Sequence, residues 1–543
     1  MSFKASLHSL NSSMHSSRWI IDTVLLTTLL AFLVVVLLPF SPSYFPVPTL
    51  DPGVFLYAGR MVREGGLPYR DFWDQKPPLI FYINALGLSL GAGDAQGVYW
   101  LKVALLLLGA IIGFTAMRRS FGLVPAVFGT LLWMAYRPLL TKEGNIPEEY
   151  ALPLQFATIA LVLKTGVGRK AWLLWFAVGN LAGLAMLLKP TLIGAMLAAI
   201  LVVIAPAIKE RAWGRATRAG LVFAVGLLAP VALSVVVALA QGYLADYWSS
   251  VVLYALSYSA VDRSSYLDIL SRLTDLFHPT VLIGVGLGYV AATLAIIFLK
   301  RDTSLFRRLL TWSLVSLPLE LLLIGLPQRS YMHYYLALLP CFSVLLAGFL
   351  YLVQEWFDRA AGRWGAPQFE AAGVVLAVVF GTFSTGRIAF RDLVRTQAAL
   401  ETPRANTLEP VISYLDRMVQ PSDKILIWGA EAGANFVTGH DAPTRFVYQY
   451  PLFMPGYTTR SLISTLLEEV AAKPPPVIID AAVIAQGGIP SFKSVWTGEW
   501  RGEAHDAILE PGVVEGVREW ADWVRNNYVE DVTIGDWTMY VKR

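Results

Sequence analysis

Charge is scarce in this chain of 543 residues: Asp, Glu, Lys and Arg make up 15% of it, against 56% apolar residues. A soluble protein is normally about a quarter charged, so an ordinary water-soluble globule is excluded. Cysteine is scarcer still. The single Cys341 rules out any intrachain disulfide, and its place inside an apolar run reads as a small core residue. Excess charge of one sign is also missing, since the net charge is only +4; that gives no argument for a nucleic-acid partner. Internal repeats and low-complexity tracts do not stand out.

What fills the chain instead is long apolar runs, and the mean hydropathy is +0.55. Residues 19–40, 98–117, 171–188, 190–207, 219–240, 280–299, 309–327 and 334–353 reach roughly the 18-residue length that spans a bilayer. Shorter or more broken runs cover 121–138, 147–163 and 371–388. The expectation is an α-helical polytopic membrane protein with about eleven transmembrane helices. The first run is too long for a removed signal peptide and lacks a small-residue cleavage site, so it reads as a retained signal-anchor.

Basic residues fall in alternate loops. One side holds Lys4 and Arg18; Arg118 and Arg119; Lys164, Arg169 and Lys170; Lys209, Arg211, Arg215 and Arg218; Lys300, Arg301, Arg307 and Arg308; and Arg359 and Arg363. The positive-inside rule makes that side cytoplasmic. Residues 51–84, 137–149, Lys189-Pro190, 241–278 and 328–333 then face outward. An odd number of spans puts the tail outside as well.

Past residue 390 the composition becomes that of a soluble domain. Residues 424–428, 476–479 and 537–541 read as strands, and 460–472 and 515–527 as helices. Two units are therefore expected: a transmembrane domain over 1–390 and a small α/β extracytoplasmic domain over 391–543. Gly429-Ala-Glu-Ala-Gly433 follows a strand but lacks the full glycine fingerprint of a phosphate loop.

The outward loops carry the chemistry. Asp51-Pro-Gly fits a helix start with Pro in the first turn, and equally a carboxylate facing a cleft as a general base. Asp71 and Asp74 lie three apart in Asp-Phe-Trp-Asp, which fits a shared face or a solvated turn. Lys76 precedes Pro77-Pro78, which hold it extended; it suits an anionic headgroup or, by spacing alone, an ordinary snorkelling role. Lys189 stands on the side where the positive-inside rule disfavours it. Glu148 and Glu149, with Glu143 nearby, fit cleft carboxylates or the acidic first turn of a helix. Arg329 and His333 open the tenth run, where a lone His is more often interfacial than a ligand. Tyrosines crowd residues 241–278 among Asp246, Asp262, Asp268 and Asp275, a pattern that an amphipathic interfacial helix explains.

At these residues the chain resembles a known family. An acidic residue after the first span, Asp74-Gln-Lys-Pro-Pro-Leu-Ile-Phe-Tyr82-Ile-Asn84, Leu188-Lys-Pro-Thr191 and Arg329-Ser-Tyr-Met-His-Tyr-Tyr-Leu336 are similar to motifs of the bacterial GT-C glycosyltransferases. The family 39, protein-mannosyltransferase-like and aminoarabinose-transferase-like members are the nearest in kind. The resemblance covers roughly residues 15–390, and Lys-Pro-Pro is its most specific part.

It implies transfer of a sugar, with inversion, from a polyprenyl-phosphate donor at the outer face of the bacterial cytoplasmic membrane. The acceptor would be a lipid, a glycan or a protein. By position it implies Asp51 as the catalytic base, with Glu148 or Glu149 as a second acidic residue. Lys76 would contact the donor phosphate. Lys189, Arg329 and His333 would line the cleft beside it, together with Asp71, Asp74 and Tyr82. Some relatives carry a glutamate where this chain has Gln75, which leaves a divalent cation in doubt, with Asp74 as the candidate ligand. A lipid-pyrophosphate donor is the alternative within the class. A transporter is the alternative outside it, against which stand the lack of related halves and of ionisable residues deep in the spans other than Glu320 and Lys102.

Overall fold

A computed structural model describes residues 2–48, 50–164, 171–260, 265–298, 305–366, 368–482, 488–505 and 507–543. Arg169, Lys170, Asp262, Lys300 and Arg301 lie outside the described residues, as do the side chains of Lys4 and Arg18.

Among the described residues, nine helices are long and apolar enough to cross a membrane, running from Trp19–Phe40 to Gln368–Glu401. They correspond to nine of the expected spans. The other two expected spans are helices too, Pro147–Lys164 and the shorter Gly194–Lys209. The chain is thus a helical, multi-pass membrane protein. Close helix contact relies on small residues, as is general where lipid removes the hydrophobic drive between helices. Gly179 and Gly183 of Ala171–Leu188 face Trp213–Ala240, where a Cβ on Gly179 would stand 2.9 Å from the Leu227 nitrogen.

The last span runs unbroken through position 390 to Glu401, so the helix crosses the expected domain boundary. The α/β unit starts with the helix Glu409–Met418. Its strands are β1 (Leu426–Trp428), β2 (Val477–Asp480), β3 (Glu503–Ala504), β4 (Ala507–Ile508), β5 (Tyr528–Ile534) and β6 (Trp537–Lys542). The main sheet has the order β1-β2-β6-β5, with β1 and β2 parallel and the other pairs antiparallel. Helices Arg460–Ala472 and Pro511–Asn527 match the expected ones. Strand β5 was not expected from the sequence: it is an edge strand with mostly exposed side chains, so it lacks an apolar run.

The segment between the first two spans folds into two helices, Leu50–Arg63 and Leu79–Leu90, joined by an irregular loop. The first packs on Ala432–Thr438 of the α/β unit with glycine against glycine: a Cβ on Gly53 would lie 2.6 Å from the Gly433 Cα. Gly433 therefore serves a close helix approach, which accounts for the glycine that imitates a phosphate loop.

Candidate active site

Loops that are distant in sequence converge on a cavity of about 800 Å³. Its lining includes Asp51, Gln75, Lys76, Lys189 and His333, with Tyr254, Tyr258, Tyr331 and Tyr334 around them. The α/β unit closes one wall with Tyr448, Tyr450, Met454 and His505. The loops assigned to one side by charge thus meet in one place.

Asp51 lies in the first turn of Leu50–Arg63, where the helix dipole favours a carboxylate. Its side chain is 45% exposed and its Oδ2 stands 3.7 Å from Lys76 Nζ. Lys76 is held from both sides. Its amide N–H donates to Asp74 Oδ1 at 2.6 Å, and its carbonyl accepts from the Tyr69 hydroxyl at 2.8 Å. Burial works against the Lys76 ammonium, but Asp51 and Asp74 outweigh it, so its pKa is raised. Asp74 is buried and its pKa is pushed up to about 6 by that burial, against the opposing pull of Lys76.

Lys189 follows the helix Ala171–Leu188 and is turned into the cavity by Pro190. Its Nζ donates to Glu148 Oε1 at 2.7 Å and sits 3.1 Å from the centre of the Tyr334 ring. Burial lowers its pKa to about 8, with Glu148 opposing. His333 Nε2 approaches the same Glu148 oxygen at 3.9 Å, and its ring stacks on Tyr331.

Other candidates lie elsewhere. Glu149 is fully buried and paired with Arg137, itself fully buried, and neither lines the cavity. Glu148 likewise sits behind Lys189 rather than at the surface of the cavity. Arg329 covers the Tyr258 ring at 4.5 Å and is 4% exposed, so it backs the aromatic wall. Asp71 and Tyr82 do not line the cavity. Asp71 is exposed and caps the Leu67 amide at 2.7 Å within its own turn, because the loop bends back there. Tyr82 lies one turn into Leu79–Leu90 on its outward side, where its hydroxyl meets Tyr243. Asn84, the last residue of the Lys-Pro-Pro motif, accepts at 2.9 Å from Asn145, which in turn accepts from Tyr150; that chain ties the motif to the turn before Pro147.

Both Asp74 oxygens are engaged, since Oδ2 accepts from the Tyr448 hydroxyl at 3.0 Å. A cation there would have to share those oxygens with the Tyr448 hydroxyl and the Lys76 amide. Among the described residues no group of three or more His, Cys, Asp or Glu side chains could hold a metal ion.

Sequence reasoning missed Tyr448 and the rest of the α/β wall. A tyrosine 374 residues from Asp74 carries no local signal of that contact.

Cations, a carboxylate and tyrosines thus share one cleft between the membrane helices and the α/β unit. The family model of dolichyl-phosphate-mannose-protein mannosyltransferases matches residues 75–238. The crystal structure of ArnT from Cupriavidus metallidurans, bound to undecaprenyl phosphate, is similar over 94% of this chain and 97% of that one, with TM-score 0.55 and 13% identity. The Archaeoglobus fulgidus oligosaccharyltransferase, in complex with Zn and sulfate, is similar over 87% of this chain and 69% of its own, with TM-score 0.50 and 12% identity. At such identities the likeness is one of fold. No curated protein sequence matches the chain. The chain thus shares its fold with these membrane proteins, and about a third of it matches the mannosyltransferase family model.

Proposed function

We propose that the protein transfers a sugar, with inversion, from a polyprenyl-phosphate donor to an acceptor hydroxyl, with Asp51 as base and Lys76 as the donor-phosphate contact. The observation that carries this is the Asp51–Lys76 pair on the cavity wall, with the carboxylate open to the cavity. The Lys-Pro-Pro segment lies within the matched residues 75–238, and the lipid phosphate bound by ArnT supports the choice of donor.

In this reading the donor phosphate takes over Lys76 and frees Asp51. The acceptor oxygen bonds to the anomeric carbon and gives its proton to Asp51. The bond from that carbon to the phosphate oxygen breaks, and its electron pair leaves with the polyprenyl phosphate. Lys76 and Lys189 stabilise the departing charge, an electrostatic role suited to a partly dry site. Alternating basic loops support placing this cleft at the outer face of the cytoplasmic membrane.

Two measurements test it. The wild-type protein should bind undecaprenyl phosphate by native mass spectrometry, and Lys76→Gln should bind it about tenfold more weakly; equal binding would sink the phosphate contact. Cysteines replacing Glu64 and Ser422, both exposed, should react with an impermeant maleimide on intact cells, and protection of both until lysis would invert the orientation.

A further inference from the structure

We propose that the α/β unit is part of the active site and that Tyr448, acting through Asp74, is a positioning residue that holds Lys76 against Asp51. The inference rests on the reading of Lys76 as the donor-phosphate contact.

The path is short and continuous. The Tyr448 hydroxyl donates to Asp74 Oδ2 at 3.0 Å, Asp74 Oδ1 accepts from the Lys76 amide at 2.6 Å, and Lys76 Nζ faces Asp51 Oδ2 at 3.7 Å. Asp74 is 3% exposed, so each of its hydrogen bonds replaces water that cannot reach it. A buried carboxylate with two fixed donors holds the backbone at Lys76 in one orientation. A lysine stem has four rotatable bonds, so fixing its backbone limits where the ammonium can go.

The same loop is clamped to the α/β unit next door. The Trp73 amide donates to the Arg445 carbonyl at 2.8 Å, and the Trp73 indole N–H to the Tyr457 hydroxyl at 3.3 Å. Arg60, on the helix that carries Asp51, pairs with Asp441 at 2.9 Å. Both catalytic segments, the Asp51 helix and the Lys76 loop, are thus fastened to the α/β unit. Among these fastenings, that of Tyr448 leads through Asp74 to a cavity-lining cation.

The test follows Lys76 itself. In the full-length protein in lipid nanodiscs, the acetylation rate of Lys76 is measured by mass spectrometry relative to exposed Lys493. Tyr448→Phe removes one hydroxyl and should raise the Lys76 rate about tenfold. Asp74→Asn should raise it as well, and the double variant should rise no further than the larger single effect, because both act on one path. Tyr414→Phe, which loses a hydroxyl bound to Asp531 elsewhere in the α/β unit, should leave the rate unchanged. An unchanged rate in Tyr448→Phe, or additive effects in the double variant, would overturn the proposal. Should Tyr448→Phe not fold, an unchanged Lys76 rate in Asp74→Asn overturns it equally. Undecaprenyl-phosphate binding in the same samples separates the two readings: no binding in any of them, wild type included, removes the donor assignment, while the acetylation result still decides the positioning.

Discussion

Asp51 meets Lys76 across 3.7 Å, from the first turn of one helix to the end of the loop that follows it. At that distance the carboxylate and the ammonium face each other across the cleft without forming a tight ion pair. The carboxylate side chain is 45% exposed and the lysine 17%, so an arriving anion can compete for the lysine while the carboxylate stays accessible to an acceptor.

Replacing that carboxylate tests the division of labour. Asp51→Asn keeps size and the ability to favour a helix start but cannot take up a proton, so sugar transfer should fall by about 10²-fold or more. The melting temperature in detergent should hardly move. Near-normal turnover would leave Asp51 with only its place in the first turn of the helix.

Glu149 should behave differently, as a folding residue. Its carboxylate pairs with Arg137, and both side chains are fully buried. Lys102 Nζ, Arg137 Nη2 and Glu149 Oε2 all lie within 3.0 Å of where a Cβ on Gly144 would stand, and Gly144 has φ +80°. Removing one member strands a buried charge, which costs about 3–5 kcal/mol. Arg137→Met and Glu149→Gln should therefore both lower the melting temperature, with activity lost in proportion to folded protein. Loss of transfer in a Glu149→Gln protein that melts normally would return Glu149 to the chemistry.

Much of this was legible in the sequence, for identifiable reasons. Apolar runs give spans because length and hydrophobicity alone decide insertion. Lys76 and Asp51 stood out because a lysine before two prolines and a carboxylate at a helix start are local patterns. The roles of Glu148 and Glu149 were not separable, since adjacent residues on a helix point about 100° apart and only the fold says which faces Lys189 and which Arg137. Asp71 and Asp74, three apart in an irregular loop, ended in opposite environments, one exposed and one buried. The Tyr448–Asp74 contact joins segments from the two ends of the chain, and no periodicity or spacing encodes it.

Docking of the α/β unit should depend on Gly433. A Cβ there would run into the Pro48 carbonyl, and the neighbouring Gly53 leaves no room to retreat. Gly433→Ala should therefore push Ala432–Thr438 away from Leu50–Arg63, lower the melting temperature and expose the chain after Glu401 to limited proteolysis. Gly214→Ala is the control, because nothing lies within 4 Å of its Cβ position in a helix that alanine favours. Equal protease resistance of the two variants would mean that the glycine contact does not govern docking.

The pH profile of transfer should be a bell between about 6 and 8. Asp74 has its pKa raised from 3.8 to about 6 by burial, so the folded protein holds that proton more tightly than the unfolded chain does. Its contribution to stability is therefore greatest below 3.8 and is lost as the pH rises through 6. Its function runs the other way, because only the carboxylate form supports the Lys76 ammonium; transfer should fall as the pH drops through 6. The groups facing Asp74 are Lys76, Asp51 and Tyr448, with Tyr69 and Tyr254 nearby. Lys189 is lowered from 10.5 to about 8 by burial, so the site loses a cation above that pH. A phosphodiester donor does not titrate in this range, which leaves both limbs to the protein. Asp74→Asn should flatten the acid limb, and Lys189→Arg should remove the alkaline one, because a guanidinium stays charged. Persistence of the acid limb in Asp74→Asn would assign it to another group at the cleft, with His333 beside Glu148 the first to examine.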